Sequence, residues 1–338
     1  MTLKNRIEVL VKLGDRLKSG DEYLDAVIHR TNYNNAWFSK ENQHRRVKHI
    51  AEDFLSEEKL NSWMKNYEIS DKPSGKSIAF LLSDNIPLEG IHDIICAFVA
   101  GHKSLIVLAE NDQYLMPCIL KFLKEIDEKT EKFFEITPKL EKFDGIITNI
   151  GNKKGDALRN YFGKYPNIFR KKRSSVAVIT GEESDADLLK LGDDIFSYFG
   201  TSTRNISKMY FPKGYDLKRF LEITHEFKEL VLNNKYKNNF DYNFAAFSLD
   251  KTSFHINGCM ILVEKPEVIS RTSVVHYEFY ESKEKLQEDI SAKAADIQNI
   301  VAPDGFLDLK TIPFGETTNH SLGEYLDEKD TMAFMLSV

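Results

Sequence analysis

The sequence predicts an α/β protein of two lobes, each built on a largely parallel sheet, behind a helical N-terminal segment. Three observations lead there. The chain has 338 residues, 42% of them hydrophobic, which is enough for a large core shared between two lobes. Beyond residue 76, short apolar runs alternate with amphipathic helical stretches, the pattern of a parallel sheet covered on both faces. That alternation restarts after KKRSSVAVITG.

Residues 1–70 read as helical throughout, with Ser56 before Glu57 and Glu58 as a helix start. The loop DKPSGK changes the texture. SIAFLLSD then reads as a buried strand and PLEGIHDIICAFVAGH as a helix with Ile91, Ile94, Ile95 and Phe98 on one face; Gly101 suits its C-cap. Strand KSLIVLAEN, helix DQYLMPCILKFLKEID and strand DGIITNI follow. In the second half come helix DADLLKLGDDIFSYF, strand SKMYFP, helix DLKRFLEITHEFKELVLNN, strands CMILVEK and SVVHYEFYE, helix KEKLQEDISAKAADI and strand NIVAP. The expected divisions are 1–70, 71–172, 173–302 and a C-terminal segment 303–338.

A net charge of −6 and 29% charged residues, with no long basic tract, argue against nucleic acid as a partner. Arg170-Lys171-Lys172-Arg173 is too short a run, and reads as a strand edge. No apolar run approaches the roughly 18 residues of a membrane span, and the amphipathic N-terminus lacks the apolar centre of a signal peptide. Cys96, Cys118 and Cys259 sit in apolar settings without metal-ligand spacing, so a cytoplasmic protein with reduced core thiols and no metal is expected.

Residues 195–212, IFSYFGTSTRNISKMYFP, pose the chemical question. A helix is expected to end at Gly200, a polar turn to follow, and a strand to begin near Met209. Such a helix-to-strand turn is a place for a nucleophile, and this one offers Thr201, Ser202, Thr203 and Ser207 but no cysteine.

Several stretches together resemble the LuxC-type acyl-CoA reductases, a branch of the aldehyde dehydrogenase superfamily. They are NNAWFSKEN, NIPLEGIHDIICAFVAGHK, YFGKYPNIFRKKRSSVAVITG, LGDDIFSYFG, RNISKMYFPKGYD and IPFGETTNHSLGEYLDEKDTMAFM, in matching order over nearly the whole chain. The resemblance implies an aldehyde dehydrogenase-like fold: a Rossmann-like cofactor lobe over 71–172, a catalytic lobe over 173–302, and a cleft between them to which 303–338 returns. It implies reduction of a fatty acyl thioester to an aldehyde with NADPH. A cysteine thiolate attacks the thioester, CoA leaves, and hydride reaches the thioacyl carbon.

Carried over by position, the resemblance makes Asn85 the oxyanion asparagine, although an asparagine before Ile-Pro is also an ordinary turn residue. The nucleophile position is held by Thr203. A threonine hydroxyl stays protonated at neutral pH unless a base activates it, and no histidine lies in the turn. The cofactor-contacting lysine of the superfamily falls at Val107, with Lys103 at the other end of the strand. The Gly-Ser of the family becomes Asn149-Ile150-Gly151-Asn152, where Gly151 and Asn152 are the candidate phosphate site, with Lys153 and Lys154 beside them. The general-base glutamate aligns with Arg170, and His320 reads as a surface histidine that a base role would also suit.

Three readings follow. The first is an acyl-CoA reductase with altered activity. The second is a non-catalytic relative that binds acyl groups, acyl-CoA or a partner subunit. The third, a threonine esterase or acyltransferase, lacks a visible base. An acyl-transferring or acyl-activating partner protein and a homo-oligomer are expectations from the family.

Overall fold

The computed structural model describes residues 1–149 and 152–338, without the side chains of 152–156. The chain divides into two compact units, Met1–Lys172 with His320–Val338, and Arg173–Asn319. Residues 303–319 thus stay with the second unit.

The first unit opens with α1 (Leu3–Lys18), α2 (Glu22–Asn34), α3 (Lys40–His49) and α4 (Glu57–Met64), a π turn over Ile50–Phe54 closing α3. Side chains of Thr2, Asp21 and Ser39 accept hydrogen bonds from the first free amides of α1, α2 and α3. Ser56 stands before α4 in extended conformation but makes no side-chain cap bond. Leu10, Leu13 and Leu17 of α1 face the main core of this unit.

Next come β1 (Ser77–Leu81), α5 (Ile91–Ala100), β2 (Lys103–Val107), α6 (Leu115–Ile126), β3 (Phe134–Ile136), β4 (Gly145–Thr148), α7 (Asn152–Phe162) and β5 (Asn167–Phe169). Their order is β3-β2-β1-β4-β5, all parallel, the Rossmann order with its switch point between β1 and β4. Every residue of α5 is buried, and Gly101 caps it at φ +85°, where a Cβ would lie 2.9 Å from Pro73 Cα.

The second unit contains β6 (Ser174–Val178), α8 (Asp185–Phe196), β7 (Ile206–Pro212), α9 (Leu217–Thr224), α10 (Asn234–Leu249), β8 (Phe254–Ile256), β9 (Ile261–Glu264), β10 (Val274–Tyr280), α11 (Lys283–Ala292) and β11 (Ile297–Val301). The sheet order is β11-β6-β7-β10-β9-β8, parallel except for the antiparallel β8/β9 pair. The last helix, α12 (Thr331–Ser337), belongs to the first unit and packs on α5. Among the described residues no helix is long and apolar enough to cross a membrane.

Three expectations need correction. The stretch expected as one helix over 216–234 breaks at Thr224, whose hydroxyl donates back to the Phe220 carbonyl, and continues as a 3-10 segment, His225–Leu232. Asn233 then caps α10, which the sequence reading did not anticipate. Strand β7 begins at Ile206 rather than near Met209. Its polar start is satisfied: half-buried Ser207 donates to the Val268 carbonyl at 2.6 Å, and buried Lys208 pairs with Glu278 at 2.6 Å. The helix α8 ends at Phe196, four residues before Gly200. Tyr198 and Phe199 then adopt left-handed conformations, φ +53° and +58°, which turn the chain.

Candidate active site

The turn 201–205 is built on Asn205, not on Thr203. Asn205 is buried; its side-chain oxygen accepts from Ser202 N at 2.9 Å and its amide donates to the Asp194 carbonyl at 2.9 Å. Asn205 O accepts from Ser174 Oγ and Ser175 N, fastening the turn to β6. The side chain of the same residue, the buried Asp194 carboxylate, accepts from Gly315 N, Thr317 N and Thr317 Oγ1 at 2.6–3.0 Å. Burial pushes Asp194 up to about 6, and those three donors oppose the shift. The IPFGETT segment is thereby held to α8 within the second unit.

Thr203 itself is half-buried. Among the described residues of this unit, none donates to or accepts from its hydroxyl. A threonine nucleophile needs a base within hydrogen-bond reach. The strained backbone at Tyr198 and Phe199, of order 1–2 kcal/mol per residue, leads directly into this turn. The thiols offer no substitute. Cys96, Cys118 and Cys259 are all buried. Burial raises Cys96 well above its ordinary value and pushes Cys118 and Cys259 up to about 12.

Asn85 lies in the loop after β1, in the first unit, and is exposed. Its backbone N–H and side-chain amide both reach Glu89, at 3.2 and 3.4 Å, and the amide also donates to Ser83 Oγ at 3.3 Å. Burial raises the Glu89 carboxyl above its ordinary range. An acid seated on both Asn85 donors weakens that amide as an oxyanion donor, a conflict the sequence did not reveal. The same loop carries Leu88 at φ +53°, its N–H donating to buried Asp112 at 3.3 Å.

For a nucleotide, the carboxyl ends of β1 and β4 are the place the topology provides. The two helices leaving those strands differ. The first turn of α5 holds buried Asp93, whose charge is paired with Arg170, and is preceded by Glu89. The first turn of α7 has no acidic residue and begins at Asn152, so it fits an anion by charge. Gly151 lies outside the described residues. Val107 ends β2, and Lys103 sits at the opposite end, paired with Glu135 at 2.6 Å. Neither the Val107 position nor Lys103 therefore places a lysine at the carboxyl end of β2.

Arg170 is not part of a solvated cationic run. It is buried and donates to Asp93, Asn149 and Thr331. His320 is likewise buried rather than on the surface, its ring 5.0 Å from His49 and 5.3 Å from Phe54. Both were misread because their partners lie far away in sequence. Of the groups missed, only Asn205 had a local signal, its three-residue spacing from Ser202.

Among the described residues no group of three or more metal-ligating side chains is assembled. No protein-family model matches the sequence, and no curated relative matches it either. Solved structures do. Aldehyde dehydrogenase 21 from Physcomitrella patens, in complex with succinate, matches with TM-score 0.70 and 14% identity over 99% of this chain and 85% of that one. Betaine aldehyde dehydrogenase from Staphylococcus aureus, in complex with NAD+, gives 0.65 and 11% over 93% and 77%. Propionaldehyde dehydrogenase from Clostridium phytofermentans gives 0.64 and 9% over 89% and 78%. Identities this low speak for the architecture alone: this chain has the aldehyde dehydrogenase fold.

Proposed function

We propose that this chain is a LuxC-type acyl-CoA reductase relative that binds an acyl thioester and does not reduce it. The observation that carries this reading is the state of the nucleophile turn. Its supports, Asn205, Asp194 and the strained Tyr198–Phe199 pair, are in place, while among the described residues of its unit no base meets the Thr203 hydroxyl. Reduction needs a group that attacks the thioester carbonyl, expels the CoA thiolate and leaves a carbonyl reactive to hydride. A threonine ester is a poorer hydride acceptor than a thioester even where it forms. The buried, weakly acidic thiols speak against another cysteine in that role.

A nicotinamide nucleotide would supply the hydride, with its phosphates at the start of α7 where Lys153 and Lys154 follow Asn152 in sequence. Val107 and the acids of the β1 loop weaken that binding. On this reading the protein holds an acyl group for an acyl-transferring or acyl-activating partner.

The test is acyl-CoA-dependent loss of NADPH or NADH absorbance, together with CoA release, for the native chain and Thr203→Cys. The native chain is expected to be silent in both, and Thr203→Cys to release CoA in a burst. Sustained turnover by the native chain would sink the proposal. Saturable binding of acyl-CoA by the native chain, read calorimetrically, is the second requirement.

A further inference from the structure

At the amino ends of β1 and β2 the first unit has a hollow of about 430 Å³, lined by Pro73, Lys76, Lys103, Lys129, Lys132 and Phe133 among others, and by no aspartate or glutamate. The topology places a nucleotide at the other end of the sheet, beyond the carboxyl ends of the strands. A 3-10 segment, Glu128–Phe133, supplies two of the lysines. At three residues per turn its side chains fall into three rows. Thr130 and Phe133 are buried. Glu128 and Glu131 form the second row, and Glu131 pairs with Lys124 of α6. Lys129 and Lys132 form the third, both exposed and roughly 6 Å apart along the segment. Among the described residues neither ammonium has a carboxylate partner.

The remaining cations are held loosely or from beneath. Lys103 pairs with Glu135 of β3 at 2.6 Å, but the two side chains are 41% and 49% exposed, a surface pair that an anion exchanges readily. Lys76 donates to the main-chain oxygen of Val338. Under the hollow, a Cβ on Gly101 would lie 3.5 Å from Cζ of Arg6. Arg6 is buried, and among the described residues it donates only to the carbonyls of Met1, Ser70, Asp71 and Val99. The Asp71 carboxylate accepts from Leu3 N and acts on Arg6 through space. A buried guanidinium with no carboxylate bonded to it adds positive potential to the floor. In a chain of net charge −6, four lysines around one hollow with no acid among its lining run against the overall balance.

We propose that this hollow is a second anion site, which takes a small molecule carrying two or more phosphate groups. Lysines are compact charges that suit phosphate oxygens without demanding one fixed geometry. Four of them, from three separate segments, are more than a single phosphate or carboxylate needs. Pro73 and Phe133 add an apolar wall for the organic part of the ligand. The hollow form favours a small ligand over a nucleic-acid strand or an acidic protein, which would follow a basic stripe across the surface. Here the lysine row is flanked by Glu128 and Glu131 instead. The inference does not rest on the acyl-binding reading, and it gives Lys103, at the wrong end of β2 for the cofactor, a ligand of its own.

The test is calorimetric titration of the full chain with inorganic pyrophosphate, ADP and adenosine, at low salt and without divalent metal. Pyrophosphate and ADP are expected to bind saturably and to weaken as salt is raised, and adenosine not to bind. Lys129→Gln with Lys132→Gln should raise the dissociation constant for pyrophosphate by about 10-fold or more, while Lys129→Arg with Lys132→Arg should keep it within about 3-fold. Lys153→Gln with Lys154→Gln removes the same charge at the start of α7 and should also leave it within about 3-fold. Thermal melts like the native one show that these surface variants fold. A native chain that does not bind pyrophosphate saturably overturns the proposal. So does equal weakening by the two glutamine pairs, or adenosine binding as tightly as ADP. A polyglutamate peptide that binds through Lys129 and Lys132 more tightly than pyrophosphate would make the hollow a protein contact and overturn it too.

Discussion

Arg170 and Asp93 meet as a bidentate ion pair inside the first unit, Nη1 to Oδ2 at 2.5 Å and Nη2 to Oδ1 at 2.7 Å. Thr331 hydrogen-bonds to both, so the end of β5, the first turn of α5 and the start of α12 are joined at one point. Burial opposes both charges, yet their attraction outweighs it. Asp93 is held below the usual carboxylate range and Arg170 above its own.

Removing either partner strands the other charge in the core. Arg170→Met or Asp93→Asn should therefore cost about 3–5 kcal/mol in urea denaturation. The double variant Arg170→Met with Asp93→Leu should cost clearly less than the sum of the two single losses. Strict additivity would mean that the two groups act independently.

Asp112 gives a pH dependence of definite sign. Burial pushes its carboxyl up to about 7, with Asp84 and Glu89 adding like charge. The folded chain thus binds its proton more tightly than the unfolded chain does. The stability this contributes is complete below about pH 4 and is lost as pH rises through about 7. Asp112→Asn keeps an acceptor for Leu88 N and removes the titration. It should match the native chain near pH 4 and exceed it above pH 7 by on the order of 2–4 kcal/mol. A stability gap that does not change with pH would refute this assignment.

The turn should depend on Asn205 far more than on Thr203. Asn205→Ala breaks one buried and one partly buried hydrogen bond and should lose about 1–3 kcal/mol. Thr203→Ala should change stability by less than about 0.5 kcal/mol. Equal losses would show that the Thr203 hydroxyl is a structural tie after all.

Thiol chemistry offers the simplest check of the site. In the folded native chain Cys96, Cys118 and Cys259 should all resist a disulfide-exchange reagent, and all three should react once the chain is unfolded in urea. Thr203→Cys should add one fast-reacting thiol. A fast thiol in the native chain would reopen the search for a nucleophile.

Much of the frame was legible in the residues. Continuous apolar runs marked β1, β2 and β4, because a strand buried on both faces needs no alternation. The three-residue strands β3, β5 and β8 were not legible, since strands so short show no period and exist through hydrogen bonds from a neighbouring strand. The position of the turn before β7 could be read, but its support could not. Asp194 meets Thr317 across 123 positions of sequence.

By itself the sequence determined the alternation of strands and helices, the glycine cap of α5, the absence of cysteine from the turn before β7 and the apolar setting of the three thiols. These follow from local spacing and side-chain chemistry. Tertiary structure alone decided that Arg170, Lys208 and His320 are buried, that Glu89 sits on the donors of Asn85, and that Tyr242 and Leu249 of α10 stay exposed. A charge enters a core only where an opposite charge or a hydrogen-bond partner meets it. The partners of Arg170 and Lys208 stand 77 and 70 residues away.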